Sequence, residues 1–158
     1  MRSYKKMTKI LFVCHGNICR SPMAEAIFQE LIRREGLEGK LAAESAAISR
    51  EELGNPIYPP AQRKLREKGI PFECRQARQL TKSDYARFDF LVGMEQSHVA
   101  SMRRLLGSDP EGKLLRLLDG TLHPHDIDDP WYSGDFETAF REIETGCRAL
   151  LQRLKTAQ

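Results

Sequence analysis

A cysteine and an arginine stand six positions apart at Cys14 and Arg20, with Gly16 and Asn17 between them and Ser21 and Pro22 immediately behind. A short apolar run, Ile10 to Val13, precedes them. A strand that turns into a helix through such a segment makes an anion cradle. The first turn of a helix leaves backbone N–H groups unpaired, and the helix dipole adds positive charge at the same end. A thiolate is favoured among those donors. Arg20 brings two N–H groups in a planar fork that matches phosphate oxygens, which an ammonium cannot copy. Gly16 and Asn17 accept the positive φ that a nest of converging N–H groups requires. The candidate phosphate-binding loop is therefore Cys14, His15, Gly16, Asn17, Ile18, Cys19, Arg20 and Ser21, with Cys14 at its base. The competing reading is a cysteine buried at a strand end with Arg20 solvated on a helix. It leaves the Gly-Asn and Ser-Pro pairs without a purpose.

A second constellation lies late in the chain, in HPHDIDDPWYSGD. Breaking a phosphate ester requires a proton for the leaving oxygen, and Asp126, Asp128 and Asp129 are on offer. Pro130 fixes the backbone after Asp129. Trp131 and Tyr132 can wall an aromatic leaving group. Taken alone, the stretch reads equally as a polar surface loop with an aromatic anchor. His123, His125 and Asp126 invite a metal reading, but their spacing fits no familiar site, so a solvated loop and no metal are expected.

Elements must position these groups. Lys9 to Val13, Leu41 to Ala47, Phe88 to Val92 and Lys113 to Leu118 read as strands. Met23, Ala24, Ile27, Phe28, Leu31 and Ile32 recur at helical spacing up to Gly36. A helix is expected from about Ala61 to Lys68, a short one behind a Thr81–Asp84 capping box, and another around Val99 to Leu106. Phe136 to Leu154 carries the clearest apolar stripe, with Cys147 in its core. GNPIYPP, Gly54 to Pro60, reads as irregular. Strands alternating with helices predict an α/β fold: one domain over 1–158, with a central four-stranded parallel twisted sheet and helices on both faces. The phosphate-binding loop follows the first strand, at the carboxyl ends where such sheets bind ligands. Residues 1–8 are expected to be a disordered lead-in.

Of the 158 residues, 41% are hydrophobic and 30% charged, and the net charge is +3, which suits one ordinary globular domain. Lysine and arginine are interspersed with acids, so no nucleic-acid footprint is expected. No apolar stretch approaches a membrane span, and the basic N-terminus lacks a secretory core. Cys14, Cys19, Cys74 and Cys147 form no metal pattern or dense framework, which predicts a reducing, cytoplasmic setting.

The chain resembles the low-molecular-weight protein tyrosine phosphatases, whose loop reads C-x-G-N-x-C-R-S, here Cys14 to Ser21. Their late aspartate-proline-aromatic motif matches Asp129, Pro130, Trp131 and Tyr132, and the likeness runs from about Lys9 to nearly the end. The resemblance implies that Cys14 is the nucleophile of a phosphocysteine intermediate, that Arg20 grips the phosphoryl group and that Asp129 is general acid and then base. It implies that Asn17 and Ser45 together hold the strained loop, and that Ser21 stabilises the Cys14 thiolate. Expected substrates are phosphotyrosine proteins and aryl phosphates, with phosphate, sulfate or vanadate as site anions, no cofactor, and a monomer or weak dimer. Apart from the resemblance, Cys19 stands five residues from Cys14 across a tight loop, which leaves two readings: it packs beneath the loop, or it is a redox partner that protects Cys14 from over-oxidation.

Several positions depart from the pattern. Glu51 falls where many members have an aromatic wall, Arg75 where some have histidine and Glu95 where aspartate is usual; Ser133 sits between the aromatics and Gly134. The substrate cleft is thus expected between Glu51 on one side and Trp131 and Tyr132 on the other. Three rival functions remain. Protein-arginine phosphatases are expected to carry a threonine at the place of Ile18. Thiol-linked arsenate reductases need further cysteines close in sequence, and Cys74 has no such neighbour. A non-enzymatic oxyanion-binding module needs neither Cys14 nor Asp129.

Overall fold

The computed structural model describes residues 7–157. Most of the expected lead-in lies outside the described residues, and its last residue, Thr8, already opens the first strand. Four parallel strands form one sheet: β1 (Thr8–Cys14), β2 (Leu41–Ala47), β3 (Phe90–Gly93) and β4 (Leu114–Arg116), in the order β2-β1-β3-β4. All three pairings are parallel. A central strand of such a sheet is covered on both faces, so it is apolar throughout. β1 obeys this rule. Ile10, Phe12 and Cys14 join one core with α1 (Arg20–Arg34) and the last helix, while Leu11 and Val13 join a second core on the opposite face.

The first face carries α1, α2 (Pro59–Glu67) and α6 (Phe136–Thr156), whose Phe140, Ile143, Cys147, Leu150 and Leu151 are buried. The other carries α3 (Asp84–Arg87) and α4 (Gln96–Leu106). A four-residue helix, α5 (Pro130–Ser133), precedes α6. Gly146 permits the close approach of α6 to the 3₁₀ turn Leu117–Gly120, since a Cβ there would lie 2.5 Å from Leu117 Cγ.

Three expected boundaries shift. Pro59 and Pro60 are not irregular but fill the first turn of α2, where a missing N–H costs nothing. The third strand starts at Phe90, because Phe88 ends α3 and packs under the second face. The fourth stops at Arg116 and winds into the 3₁₀ turn. At Thr81 the backbone N–H donates to Asp84 Oδ2 at 2.8 Å, yet α3 begins only at Asp84 itself.

The chain runs from β1 to β2 on one side and returns to β3 on the other. The strand order therefore reverses between β1 and β3, which places a crevice at their carboxyl ends. Cys14 ends β1, and Met94 and Glu95 follow β3.

Candidate active site

Cys14 opens the loop that leads into α1, and Arg20 is that helix's first residue. The loop's carbonyl oxygens are engaged on its outer side. Cys14 O accepts from Ile48 N at 2.9 Å, His15 O from Ser49 N at 3.0 Å, Ile18 O from Tyr58 N at 2.9 Å and Cys19 O from Met23 N at 3.1 Å. With the carbonyls turned outward, the amide N–H groups are free to converge on the inside, as an anion nest requires. Asn17 N donates to Cys14 Sγ at 3.3 Å, and Ser21 Oγ lies 3.0 Å from the same sulfur.

Asn17 adopts φ 60° and is wholly buried. Its side chain holds that conformation. Nδ2 donates to Ser21 Oγ at 2.8 Å, and Oδ1 accepts from Arg78 N at 3.2 Å and from Arg75 Nη2. The link from Asn17 to Ser45 runs through Arg75, which also donates to Asn17 O at 3.0 Å and to Ser45 Oγ at 3.2 Å. Ser45 Oγ in turn donates to Glu25, whose carboxyl is pushed up by burial. Arg75 and Glu25 stand 3.9 Å apart, so a half-buried cation and its partner brace the loop from behind.

Arg20 is 2% exposed. Its Nη1 donates to Glu95 Oε2 at 2.5 Å and to Ile127 O at 2.6 Å, and its Nη2 lies 3.5 Å from Asp129 Oδ2. Glu95 caps α4, and His98 Nδ1 accepts from Met94 N and Glu95 N, both at 3.2 Å. Asp129 caps α5 through Trp131 N at 3.0 Å. Trp131 is propped by Tyr58, with ring centroids 4.5 Å apart.

One cavity of about 120 Å³ gathers these groups. Its lining includes Cys14, Arg20 and Asp129, the loop residues His15, Gly16, Ile18 and Cys19, and Glu51, Trp131 and Tyr132. Asn17, Ser21 and Ser45 are buried behind it. Glu51 lies on the rim, largely exposed, paired with His15 Nε2 at 3.1 Å. Cys19 is buried, and that burial pushes its thiol far up, so it stays protonated. His125 pairs with Glu142 at 2.6 Å, Asp126 turns toward Arg116, and among the described residues no cluster of three or more metal-binding side chains forms.

Sequence reasoning missed four participants: Arg75 as the brace, Glu95 and Ile127 as the platform under Arg20, and Glu52 in the cavity lining. Glu95 carried a usable signal, because it lies just past Met94 at the carboxyl end of β3. Arg75 carried none beyond its departure from the family's histidine, since it lies in an irregular stretch.

The family model for low molecular weight phosphotyrosine protein phosphatase matches residues 9–158. The Bacillus subtilis low molecular weight protein-tyrosine-phosphatase YfkJ is 42% identical over 151 residues, covering 94% of this chain and 97% of its own. Its crystal structure superposes with a TM-score of 0.94 over 99% of each chain, at 40% identity. The human low molecular weight phosphotyrosine protein phosphatase is 38% identical over 160 residues, covering 91% of this chain and 94% of that protein. A Drosophila arginine phosphatase shares the fold at a TM-score of 0.85 and 29% identity, over 94% of this chain and 98% of its own. Cradle, crevice and whole-length likeness agree: the chain belongs to the low molecular weight phosphotyrosine protein phosphatases, a family of hydrolases.

Proposed function

We propose that the protein hydrolyses phosphotyrosine in proteins, and small aryl phosphates, through a phosphocysteine intermediate. One observation carries this reading. Cys14 Sγ, held by Ser21 Oγ and Asn17 N, lines the same cavity as Arg20, Asp129, Trp131 and Tyr132. The Cys14 thiolate attacks phosphorus while the bond to the tyrosyl oxygen breaks, and Asp129 gives that oxygen its proton. A water then attacks phosphorus as the Asp129 carboxylate takes its proton, and inorganic phosphate leaves with Cys14 restored. The loose phosphoryl transition state needs positioning and charge stabilisation, which the loop N–H groups and Arg20 supply. Splitting the reaction through a covalent cysteine intermediate makes each step easier.

Cys14→Ser tests the reading: turnover of phosphotyrosine peptides should vanish while inorganic phosphate still protects the chain from thermal unfolding. Substantial residual turnover would eliminate the covalent route. The Drosophila likeness makes phosphoarginine the second substrate to assay. Ile18 in the lining, beside two aromatic rings, favours the aryl group. Cys19 lines the cavity with Cys14 and is the proposed disulfide partner under peroxide. Reductant should then restore activity to the native chain but not to Cys19→Ser, and equal recovery would refute the pairing. Among the described residues no helix is long and apolar enough to cross a membrane, and the four cysteines are free, which suits a cytoplasmic setting.

A further inference from the structure

The loop that carries Asp129 has little regular structure before α5, so something outside it must set its height over the cradle. Two neighbouring residues dock it onto the segment after β3. Ile127 is wholly buried, its N–H donates to Met94 O at 3.1 Å and its carbonyl accepts from Arg20 at 2.6 Å. Asp126 makes the second attachment, and its contacts come from elsewhere. Its Oδ1 accepts from Gln96 N, the first residue of α4, at 2.8 Å, and from Arg116 Nη1 at 2.9 Å. Arg116 ends β4 and is itself held by Asp119 at 2.9 Å. One carboxylate oxygen thus ties the acid-bearing loop to the end of β4 and to the helix whose cap, Glu95, grips Arg20.

We propose that Asp126 is a positioning residue for the acid step: clasped by Arg116 and the start of α4, it fixes the reach of Asp129 to the leaving oxygen. The inference rests on Asp129 being the acid proposed above. Asp126 touches no lining residue of the cavity through these bonds, so it acts through Asp129 or not at all. Loss of the clasp leaves Ile127 docked and the cradle untouched. It frees the loop at one end only three residues from Asp129. Proton transfer depends steeply on such placement, and a misplacement of about 1 Å costs up to about a hundredfold.

The test compares phenyl phosphate, whose leaving group needs a proton, with 4-nitrophenyl phosphate, which needs it far less. Asp126→Ala should lower kcat/KM on phenyl phosphate by about tenfold to a hundredfold and on the nitrophenyl ester by no more than about twofold. In an Asp129→Asn background the same change should cost nothing further, because the group it positions is gone. Inhibition by inorganic phosphate should keep its value. Equal losses on both esters, no loss on either, a loss that persists without Asp129, or a changed phosphate inhibition constant would each overturn the proposal. If Asp126→Ala does not fold, Asp126→Asn serves, since it keeps an acceptor for Gln96 N but not the charge for Arg116; the same four results apply. Should Asp129→Asn alone fail to separate the two esters, the assignment of the acid falls instead, and the two failures are distinguishable.

Discussion

The Cys14 loop and the Asp129 loop face each other across one cavity but are built in opposite ways. The first is a contiguous segment from Cys14 to Ser21, its conformation held by bonds from every side: Ile48, Ser49, Tyr58, Arg75 and Arg78 all reach it. The second touches the body at few points, through His125, Asp126, Ile127 and the Tyr58–Trp131 contact. An anion nest works only if its donors are fixed before the ligand arrives. The proposed acid needs only one atom in the right place, and a few well-chosen tethers suffice. Arg20 joins the two, donating to Glu95 and to Ile127 O and lying 3.5 Å from Asp129.

The sharpest way to break this contrast is at Asp129, the proposed acid. Asp129→Asn should slow phenolic leaving groups by about 10²–10⁴-fold and low-pKa leaving groups far less, whereas its neighbour Asp128→Asn should be mild. Steady-state rates across a leaving-group series give the answer, and a reversed pattern would move the role to Asp128. Next comes the platform beneath the acid-bearing loop. Burial, then the nearby Arg20 charge, hold the His98 imidazole down to about 4 from its ordinary 6.5. Its folded-state pKa lies below its unfolded value, so its contribution is complete above about pH 6.5 and is lost as pH falls through about 4. Over that window the loss approaches about 3 kcal/mol. Urea unfolding at pH 7, 5.5 and 4.5 should show a shallower decline in His98→Asn than in the native chain; parallel declines would dismiss the role.

On the cradle side, Arg75→Ala strips charged hydrogen bonds from Asn17 and Ser45 and leaves Glu25 without its cation. The cost should be about 1.5–3 kcal/mol of stability, read by chemical denaturation, together with weaker inhibition by phosphate. Arg75→His, which returns a donor, should recover part of both. If Arg75→Ala left stability and phosphate binding intact, the cradle would need no brace from behind, and the contrast between the loops would fail. The smallest effect is at the rim. Glu51→Trp puts an aromatic ring opposite Trp131 and Tyr132 and should raise kcat/KM on small aryl phosphates by up to about tenfold. It should also reduce any preference for basic residues beside the phosphotyrosine. Unchanged kinetics in both Glu51→Trp and Glu51→Gln would place the rim outside the binding surface.

Much of this was legible along the chain because its causes are local. Alternating strands and helices, the two-sided burial of β1, and the order Cys-Gly-Asn-Arg-Ser-Pro each follow from residue type at short range. Where boundaries moved, a longer-range demand had won. Phe88 left its expected strand for the core under α4, and the end of β4 curled into the turn that α6 covers through Gly146. Arg75 was invisible as a brace because nothing around it in sequence tells a half-buried, paired arginine from a solvated one. Its partners come from 30, 50 and 58 positions away.

By itself, the sequence determined the anion cradle and the strand that presents it. Backbone N–H geometry, a residue that tolerates positive φ and a helix start are properties of adjacent residues. Only the tertiary structure decided what holds Arg20, what braces the cradle from behind, and which contacts tether the Asp129 loop. Those depend on where β3, β4 and α4 bring residues far apart in the chain, and side-chain contacts at that range are set by packing, which no local pattern encodes.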